Sequence, residues 1–288
     1  MRVLILGGAG MLGHQLLGHF ARRHETRVVL RRELDAYSRF GLFHPGNAYP
    51  GIDLGNPAAL EPILAAFAPQ AMINAAGIVK QRPAAEEAIP SLEINALLPH
   101  RLALMCRRIG ARLVHLSTDC VFSGRKGNYK ESDSSDAQDL YGRTKFLGEV
   151  HEPHCLTLRT SIIGPELERK TSLLEWFLAQ EGTIRGYRNA IFSGFTTLEL
   201  ARVIEMLLTR HPDANGLYHV SSAPISKFDL LMLFKRRLGL AVEITPDEEF
   251  RCDRSLDSTR FRSEFAYRPP EWPAMVDEMA RQLTGAAA

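Results

Sequence analysis

Residues 3–13 read Val3-Leu4-Ile5-Leu6-Gly7-Gly8-Ala9-Gly10-Met11-Leu12-Gly13, an apolar run that closes on four glycines. Two phosphate-loop registers fit these glycines. Gly8-x-Gly10-x-x-Gly13 is the narrower one, and Gly7-x-x-Gly10-x-x-Gly13 is wider. In a strand–turn–helix unit the first glycine must end the strand, because the chain turns there to aim a helix N-terminus at a phosphate. The apolar run ends at Leu6, so the wider register fits better. Gly10 then permits close backbone approach and Gly13 close packing of the helix. A glycine turn alone is a weak signal, and the rest of the chain has to decide.

Outward from this turn, short apolar runs alternate with amphipathic stretches. Strands are expected at Val3–Leu6, Arg27–Leu30, Ala71–Asn74, Leu113–Ser117 and Leu156–Arg159, with a weaker one at Gly51–Leu54. Helical periodicity occupies 11–23, 57–67, 92–109 and 138–150. Uninterrupted strand–helix alternation predicts an α/β fold with a doubly wound parallel sheet, a Rossmann architecture. Beyond Arg159 the alternation loosens into helices at about 171–181, 196–210, 226–238 and 274–283 around one strand, Leu217–Val220. This pattern predicts a dinucleotide-binding domain over 1–165, with 190–222 returning to it. A smaller C-terminal substrate lobe would comprise 166–189 and 223–288.

The chain has 288 residues, of which 24% are charged, and a formal net charge of +2. That balance excludes a polyanion-binding face, so no nucleic acid is expected as partner. No apolar run is long enough to span a bilayer, so no membrane association is expected. The start, Met1-Arg2-Val3, runs straight into a strand pattern with no leader ahead of it. Cys106, Cys120, Cys155 and Cys252 form no C-x-x-C pair and read as reduced thiols. A cytoplasmic protein is the expectation.

The discriminating residues lie at 115–145. His115-Leu116-Ser117-Thr118-Asp119 closes a strand, the end at which open α/β sheets bind ligands. Tyr141-Gly142-Arg143-Thr144-Lys145 follows on a helix whose apolar stripe is Leu140, Leu147 and Val150. Tyr141 and Lys145 are four apart and share a face, read as lying away from that stripe. An ammonium beside a phenol favours the phenolate and makes the tyrosine a better acid–base catalyst. By chance a Y-x-x-x-K would arise only about 0.17 times in a chain of this composition.

With the strand-end Ser-Thr and the glycine turn, these residues resemble the extended short-chain dehydrogenase/reductases, whose hallmark is the wider glycine register. Within that class the chain is similar to the dTDP-4-dehydrorhamnose reductase group of nucleotide-sugar 4-keto reductases. The likeness rests on Gly7-x-x-Gly10-Met11-Leu12-Gly13, Ile73-Asn74-Ala75-Ala76-Gly77 and Leu116-Ser117-Thr118-Asp119-Cys120-Val121-Phe122-Ser123-Gly124. It continues through Asp139-Leu140-Tyr141-Gly142-Arg143-Thr144-Lys145, Leu158-Arg159-Thr160-Ser161, and Gly216-Leu217-Tyr218-His219-Val220 with Ser226. The resemblance implies that Tyr141 donates a proton to a sugar carbonyl oxygen while hydride arrives from a nicotinamide. Lys145 would lower the tyrosine's pKa and bond the nicotinamide ribose, and Thr118 would hold the same carbonyl oxygen. Met11 and Leu12 would offer amides near the pyrophosphate, with Asp53 and Leu54, at the end of a third strand, at the adenine. Ala75, Ala76 and Gly77 would line the middle of the cofactor, and Asn95 matches an asparagine of the superfamily's next helix. The implied substrate is a nucleotide-linked 4-keto-6-deoxy sugar on the way to surface polysaccharide, and the implied assembly a monomer or homodimer.

Cofactor choice turns on the residues after the second strand. An acid there favours NADH, whereas arginine accommodates a 2′-phosphate. The run is Arg31-Arg32-Glu33, which favours NADPH over NADH with Arg31 as phosphate partner. In the alternative both arginines are solvated and Glu33 takes the ribose. The superfamily's sugar dehydratases carry Thr-Asp-Glu where this chain has Thr118-Asp119-Cys120, and a neutral thiol is a poor substitute for that glutamate. The reductases usually have tyrosine there, and many have tryptophan where this chain has Ile162, so the sugar or base is expected to differ. Lys80-Gln81 and 185–195 are candidate substrate contacts. The cluster His151-Glu152-Pro153-His154-Cys155 looks like a zinc site, but Pro153 breaks the helix and Cys155 starts a strand, so no metal is expected. His14 reads as a packing or surface imidazole. Two other functions stay open: a nucleotide-sugar epimerase or dehydrogenase on the same site, and a non-catalytic NADP-binding regulatory subunit. The regulatory subunit of methionine adenosyltransferase resembles the same reductase group.

Overall fold

The computed structural model describes residues 1–79, 87–168 and 170–285. In chain order the first half runs β1 (Arg2–Leu6), α1 (Gly13–Phe20), β2 (Glu25–Val29), β3 (Ala48–Tyr49), α2 (Glu61–Phe67) and β4 (Ala71–Asn74). It goes on through α3 (Ala88–Ser91), α4 (Leu98–Ile109), β5 (Arg112–Thr118), α5 (Leu140–Leu147) and β6 (Cys155–Thr160). The second half holds β7 (Ile162–Ile163), α6 (Leu173–Leu178), β8 (Thr183–Phe192), β9 (Phe195–Thr196), α7 (Thr197–Arg210) and β10 (Gly216–His219). It closes with β11 (Ile225–Ser226), α8 (Lys227–Leu238), β12 (Glu243–Asp253), α9 (Thr259–Glu264) and α10 (Trp272–Thr284).

The chain divides into two compact units: 1–117, 138–158 and 201–217, and then 118–137, 159–200 and 218–285 among the described residues. The first carries a seven-stranded sheet in the order β10-β6-β5-β4-β1-β2-β3. Its β1–β2, β1–β4, β2–β3 and β4–β5 pairings are parallel. The strand order reverses at β1, which is the doubly wound arrangement, and the crevice outside β1 and β4 is its ligand-binding position. Val3–Leu6 and Ala71–Asn74 are buried throughout, as strands covered on both faces must be. One core layer packs Leu4, Leu6, Met72 and Leu113 against Leu60 and Leu64 from around α2 and Leu98, Leu102 and Cys106 from α4.

Most expected elements form within a residue or two of their predicted ends. The third strand is a correction. Residues 51–54 are not a strand, and β3 is the pair Ala48–Tyr49, because Gly51 takes φ +69° and turns the chain. Asp53 and Leu54 therefore follow the third strand in a turn, where Asp53 Oδ1 accepts from the Gly55 amide at 3.0 Å.

The second unit has its own three-stranded sheet, β11-β8-β12, in which β8 is central. Sequence periodicity gave no sign of β8 and β12. The first is interrupted by Gly186 and arginines, and the second carries Pro246 and five acids. Both are explained by position. A Cβ at Gly186 would come within 2.8 Å of Ile244 and 2.9 Å of Phe228, so the central strand needs glycine to let α8 approach. β12 pairs with β8 alone, and an edge strand tolerates proline and charge.

Candidate active site

The glycine turn uses all four of its glycines. Gly7 takes φ +81°, and a Cβ there would lie 2.9 Å from Ala75 O and the Ala76 backbone. A Cβ at Gly13 would sit 2.1 Å from Gly7 O, and one at Gly10 3.1 Å from the same atom. The turn is closed by the Gly10 amide donating to Gly7 O at 2.9 Å. The wider register thus describes the turn, with α1 starting at Gly13. Gly8 is equally constrained, because a Cβ would strike Val28 at 2.6 Å. Its absence of a side chain serves the packing of β1 on β2. His14 is a packing imidazole: it is buried, and its Nδ1 lies 2.8 Å from Gly10 O.

The loop after β4 is held from below. Asn95 sits in a π-helical turn, Leu92–Leu97, and is 1% exposed. Its Oδ1 accepts from the Ile78 amide at 2.9 Å, and its Nδ2 donates to Ile78 O at 3.0 Å and to Thr144 Oγ1 at 3.3 Å. Asn95 therefore ties the Ala75–Ala76–Gly77 loop to α5. A π-turn is a recurring way of aiming one side chain off a helix at a functional loop.

On α5, Asp139 caps the helix by accepting from the Gly142 amide at 2.8 Å. Tyr141 is half-buried, and Lys145 is 5% exposed. The expected apolar stripe is a correction: Leu147 is 57% exposed and Phe146 41%, while Gly142, Thr144 and Lys145 face inward. The lysine face is the packed face. Lys145 Nζ donates to Leu116 O at 2.6 Å. Burial pulls its ammonium down to about 8, against the charge of Glu149, which raises it.

In the second unit, Thr118 Oγ1 accepts from the Cys120 amide at 3.1 Å and donates to Asp119 Oδ1 at 3.2 Å, capping a short 3₁₀ turn, Asp119–Val121. Burial pushes the Asp119 carboxyl up against the opposing pull of Arg254. Cys120 is driven to about 12 by burial and by Asp119, so its thiol stays neutral. Phe122 stacks on Tyr129 at 4.1 Å with the Arg159 guanidinium over the Phe122 ring at 5.2 Å, which fixes the chain beyond Thr118.

Of the remaining expected residues, Met11 is half-buried and Leu12 buried at the start of α1. Arg31 is exposed just past β2, while Arg32 stacks over Tyr37 at 4.8 Å. Lys80 and Gln81 lie outside the described residues. At the suspected zinc cluster, His154 Nε2 bonds Ala103 O at 2.8 Å and Cys155 is buried at the start of β6, so both serve packing. Sequence reasoning missed a buried polar set beneath the site, Asn74, His115, Ser117 and Glu149. Its one signal was polar residues in otherwise apolar strands.

A doubly wound sheet, a glycine turn with no room for side chains, and a helix presenting tyrosine and a buried lysine define the extended short-chain dehydrogenase/reductase class. The chain belongs to the RmlD substrate binding domain family, whose model matches residues 1–284. Among its relatives is the dTDP-4-dehydrorhamnose reductase of Escherichia coli, 27% identical over 98% of each chain. Another is methionine adenosyltransferase 2 subunit beta of Danio rerio, 25% identical over 98% of this chain and 93% of that protein. The structure resembles a dTDP-4-dehydrorhamnose reductase from Bacillus anthracis in complex with NADP. That match has a TM-score of 0.78 and 22% identity over 98% of this chain and 99% of the other. Other structural neighbours are complexes with NAD. The dTDP-4-dehydrorhamnose reductases among these relatives and neighbours are oxidoreductases by name. Among the described residues, no helix is long and apolar enough to cross a membrane.

Proposed function

We propose that this protein is an NADPH-dependent reductase of a nucleotide-linked 4-keto-6-deoxy sugar, acting in the cytoplasm on a precursor of surface polysaccharide. The observation that carries the reading is Lys145, a buried ammonium anchored on the Leu116 carbonyl one helical turn from Tyr141. A buried cation is costly and is kept where its charge acts on a neighbour. The glycine turn fits a dinucleotide, since Cβ atoms at Gly7, Gly10 and Gly13 would meet the backbone of the turn and of the loop after β4, so glycine lets the chain turn this tightly ahead of α1. The bound dinucleotide supplies hydride to the sugar's carbonyl carbon. Tyr141 holds the proton for the carbonyl oxygen, and Lys145 stabilises the phenolate left behind. Met11 and Leu12 present the start of α1 to the pyrophosphate, and Ala75, Ala76 and Gly77 form the floor beside Gly7. Asp53 and Leu54 would hold the adenine, Asn95 fixes the floor, and Thr118 would orient the carbonyl oxygen. Arg31 accompanies the 2′-phosphate.

The test is NADPH oxidation with dTDP-4-keto-6-deoxy sugars as substrates. Turnover is expected, with Tyr141→Phe slower in kcat by about 10²–10⁴ and NADPH binding retained. Near-normal turnover in that variant dismisses Tyr141 as proton donor. An isomerised sugar without net NADPH oxidation marks an epimerase, and NADP⁺ binding without any turnover marks a regulatory subunit.

A further inference from the structure

Beneath the tyrosine–lysine helix, a carboxylate is set near the lysine just after a glycine. α5 ends at Leu147, and a Cβ at Gly148 would lie 2.0 Å from Asn95 O and 3.2 Å from Pro99 Cγ. No other residue lets the helix end press onto the π-turn and α4 this closely. The next residue, Glu149, is buried, 5% exposed. There Ser117 Oγ, itself 6% exposed, donates to Glu149 Oε1 at 2.7 Å. Ser117 follows Leu116, whose carbonyl receives Lys145 Nζ at 2.6 Å. The lysine and the carboxylate are thus pinned to adjacent residues of β5.

We infer that Glu149, fixed by Ser117, is a positioning residue that holds Lys145 as an ammonium beside Tyr141. Its charge opposes the burial that draws the lysine down to about 8. Among the described residues, Glu149 is the charge that raises Lys145. Tyr141 lies one turn away on the same helix. His115 on β5 is buried, its Nδ1 is 3.1 Å from Asn74 Nδ2, and burial, Lys145 and His100 of α4 hold it well below its usual range. A buried charge without a counter-charge is strongly disfavoured, so losing the carboxylate favours loss of the lysine's proton.

This inference rests on the reading of Tyr141 and Lys145 given above, and the two can fail separately. In the full-length protein with ¹³Cε-lysine, the Lys145 resonance is identified by its loss in Lys145→Met and titrated by NMR. Glu149→Gln keeps an acceptor for Ser117 but removes the charge. Its Lys145 midpoint is expected to fall by about one pH unit. Glu149→Asp, which keeps the charge but withdraws it by a methylene, is expected to fall between the two. An unchanged midpoint in Glu149→Gln overturns the inference, as does an unchanged midpoint in Glu149→Asp should the glutamine variant not fold. Turnover follows: kcat/KM of Glu149→Gln drops about fivefold at pH 8 and little at pH 6.5. Equal losses at both pH values indicate a merely structural role and also overturn it. Undiminished turnover in Lys145→Met overturns the reading of the site instead, whatever the titration shows.

Discussion

At the scale of single residues, the chemistry depends on what burial does to ionisable groups. Lys145 carries a pKa near 8 because burial outweighs the help it gets from Glu149. Its ordinary value is 10.5, so between about 8 and 10.5 the unfolded chain binds the proton that the folded protein has lost. Raising the pH through that window therefore favours the folded state. Relative to Lys145→Met, which lacks the amine, wild-type unfolding free energy should rise by up to about 1.4 kcal/mol per pH unit there. Paired denaturant titrations at pH 7, 8, 9 and 10 measure this, and parallel curves would refute it.

Cys120 shows the same physics with the opposite charge type. Burial and Asp119 push its thiol to about 12, so it is neither a base nor a nucleophile at neutral pH. Native protein treated briefly with iodoacetamide at pH 7.5 should leave Cys120 unmodified by mass spectrometry, and labelling after denaturation should be complete. Placing a carboxylate at this position with Cys120→Glu should not create sugar dehydration, since the new acid would share its surroundings with Asp119 and raise the pKa of one of the two. Incubation with dTDP-glucose and NAD⁺ checks this. Product formed by the unmutated protein would overturn the reductase reading.

At the scale of elements, the π-turn Leu92–Leu97 and α5 act as one support. Asn95 makes the contacts that hold Ile78 and Thr144, all within the interior. Asn95→Ala leaves the Ile78 amide and carbonyl unpaired, at a cost of about 1–3 kcal/mol. Melting temperature should fall accordingly, and NADPH binding should weaken because the floor beside Gly7 is released. A variant that melts lower but binds NADPH as tightly would assign Asn95 to stability alone. α5 itself warns against reading a short helix by its leucines. Its inward face is Gly142, Thr144 and Lys145, because close packing and a fixed cation matter more there than apolar area.

At the scale of the whole molecule, cofactor preference reports on how the first unit presents its sheet edge. Arg31 is exposed just beyond β2, and Arg32 is occupied by stacking on Tyr37. Arg32 is exposed as well but stacked on that ring, so Arg31 is the guanidinium proposed to meet a 2′-phosphate, with bidentate geometry a lysine cannot supply. Arg31→Ala should raise KM for NADPH about tenfold and leave KM for NADH nearly unchanged, as expected for one charge-assisted contact worth about 1.4 kcal/mol. A wild-type preference for NADH would sink the assignment. The match of the family model across 1–284 concerns the entire architecture, and a shared architecture does not by itself fix the substrate.

The amino-acid sequence by itself determined the features governed by local rules. Strands buried on both faces announce themselves as apolar runs, glycines mark the turn that ends β1, and a tyrosine four residues before a lysine can be read as one helix face. It also determined the order of the motifs, and with it the family resemblance. Tertiary structure decided what depends on neighbours distant in sequence. β8 and β12 are strands because they pair with each other, despite glycine, proline and charge. Gly8 is glycine because Val28 is in the way, and Lys145 is buried where the Leu116 carbonyl receives it and the charge of Glu149 supports it. Ser117 and Glu149, 32 residues apart, meet at 2.7 Å only when β5 and the end of α5 are packed together. No periodicity encodes such a contact, since the hydrogen bond and the charge it positions exist only in the folded protein.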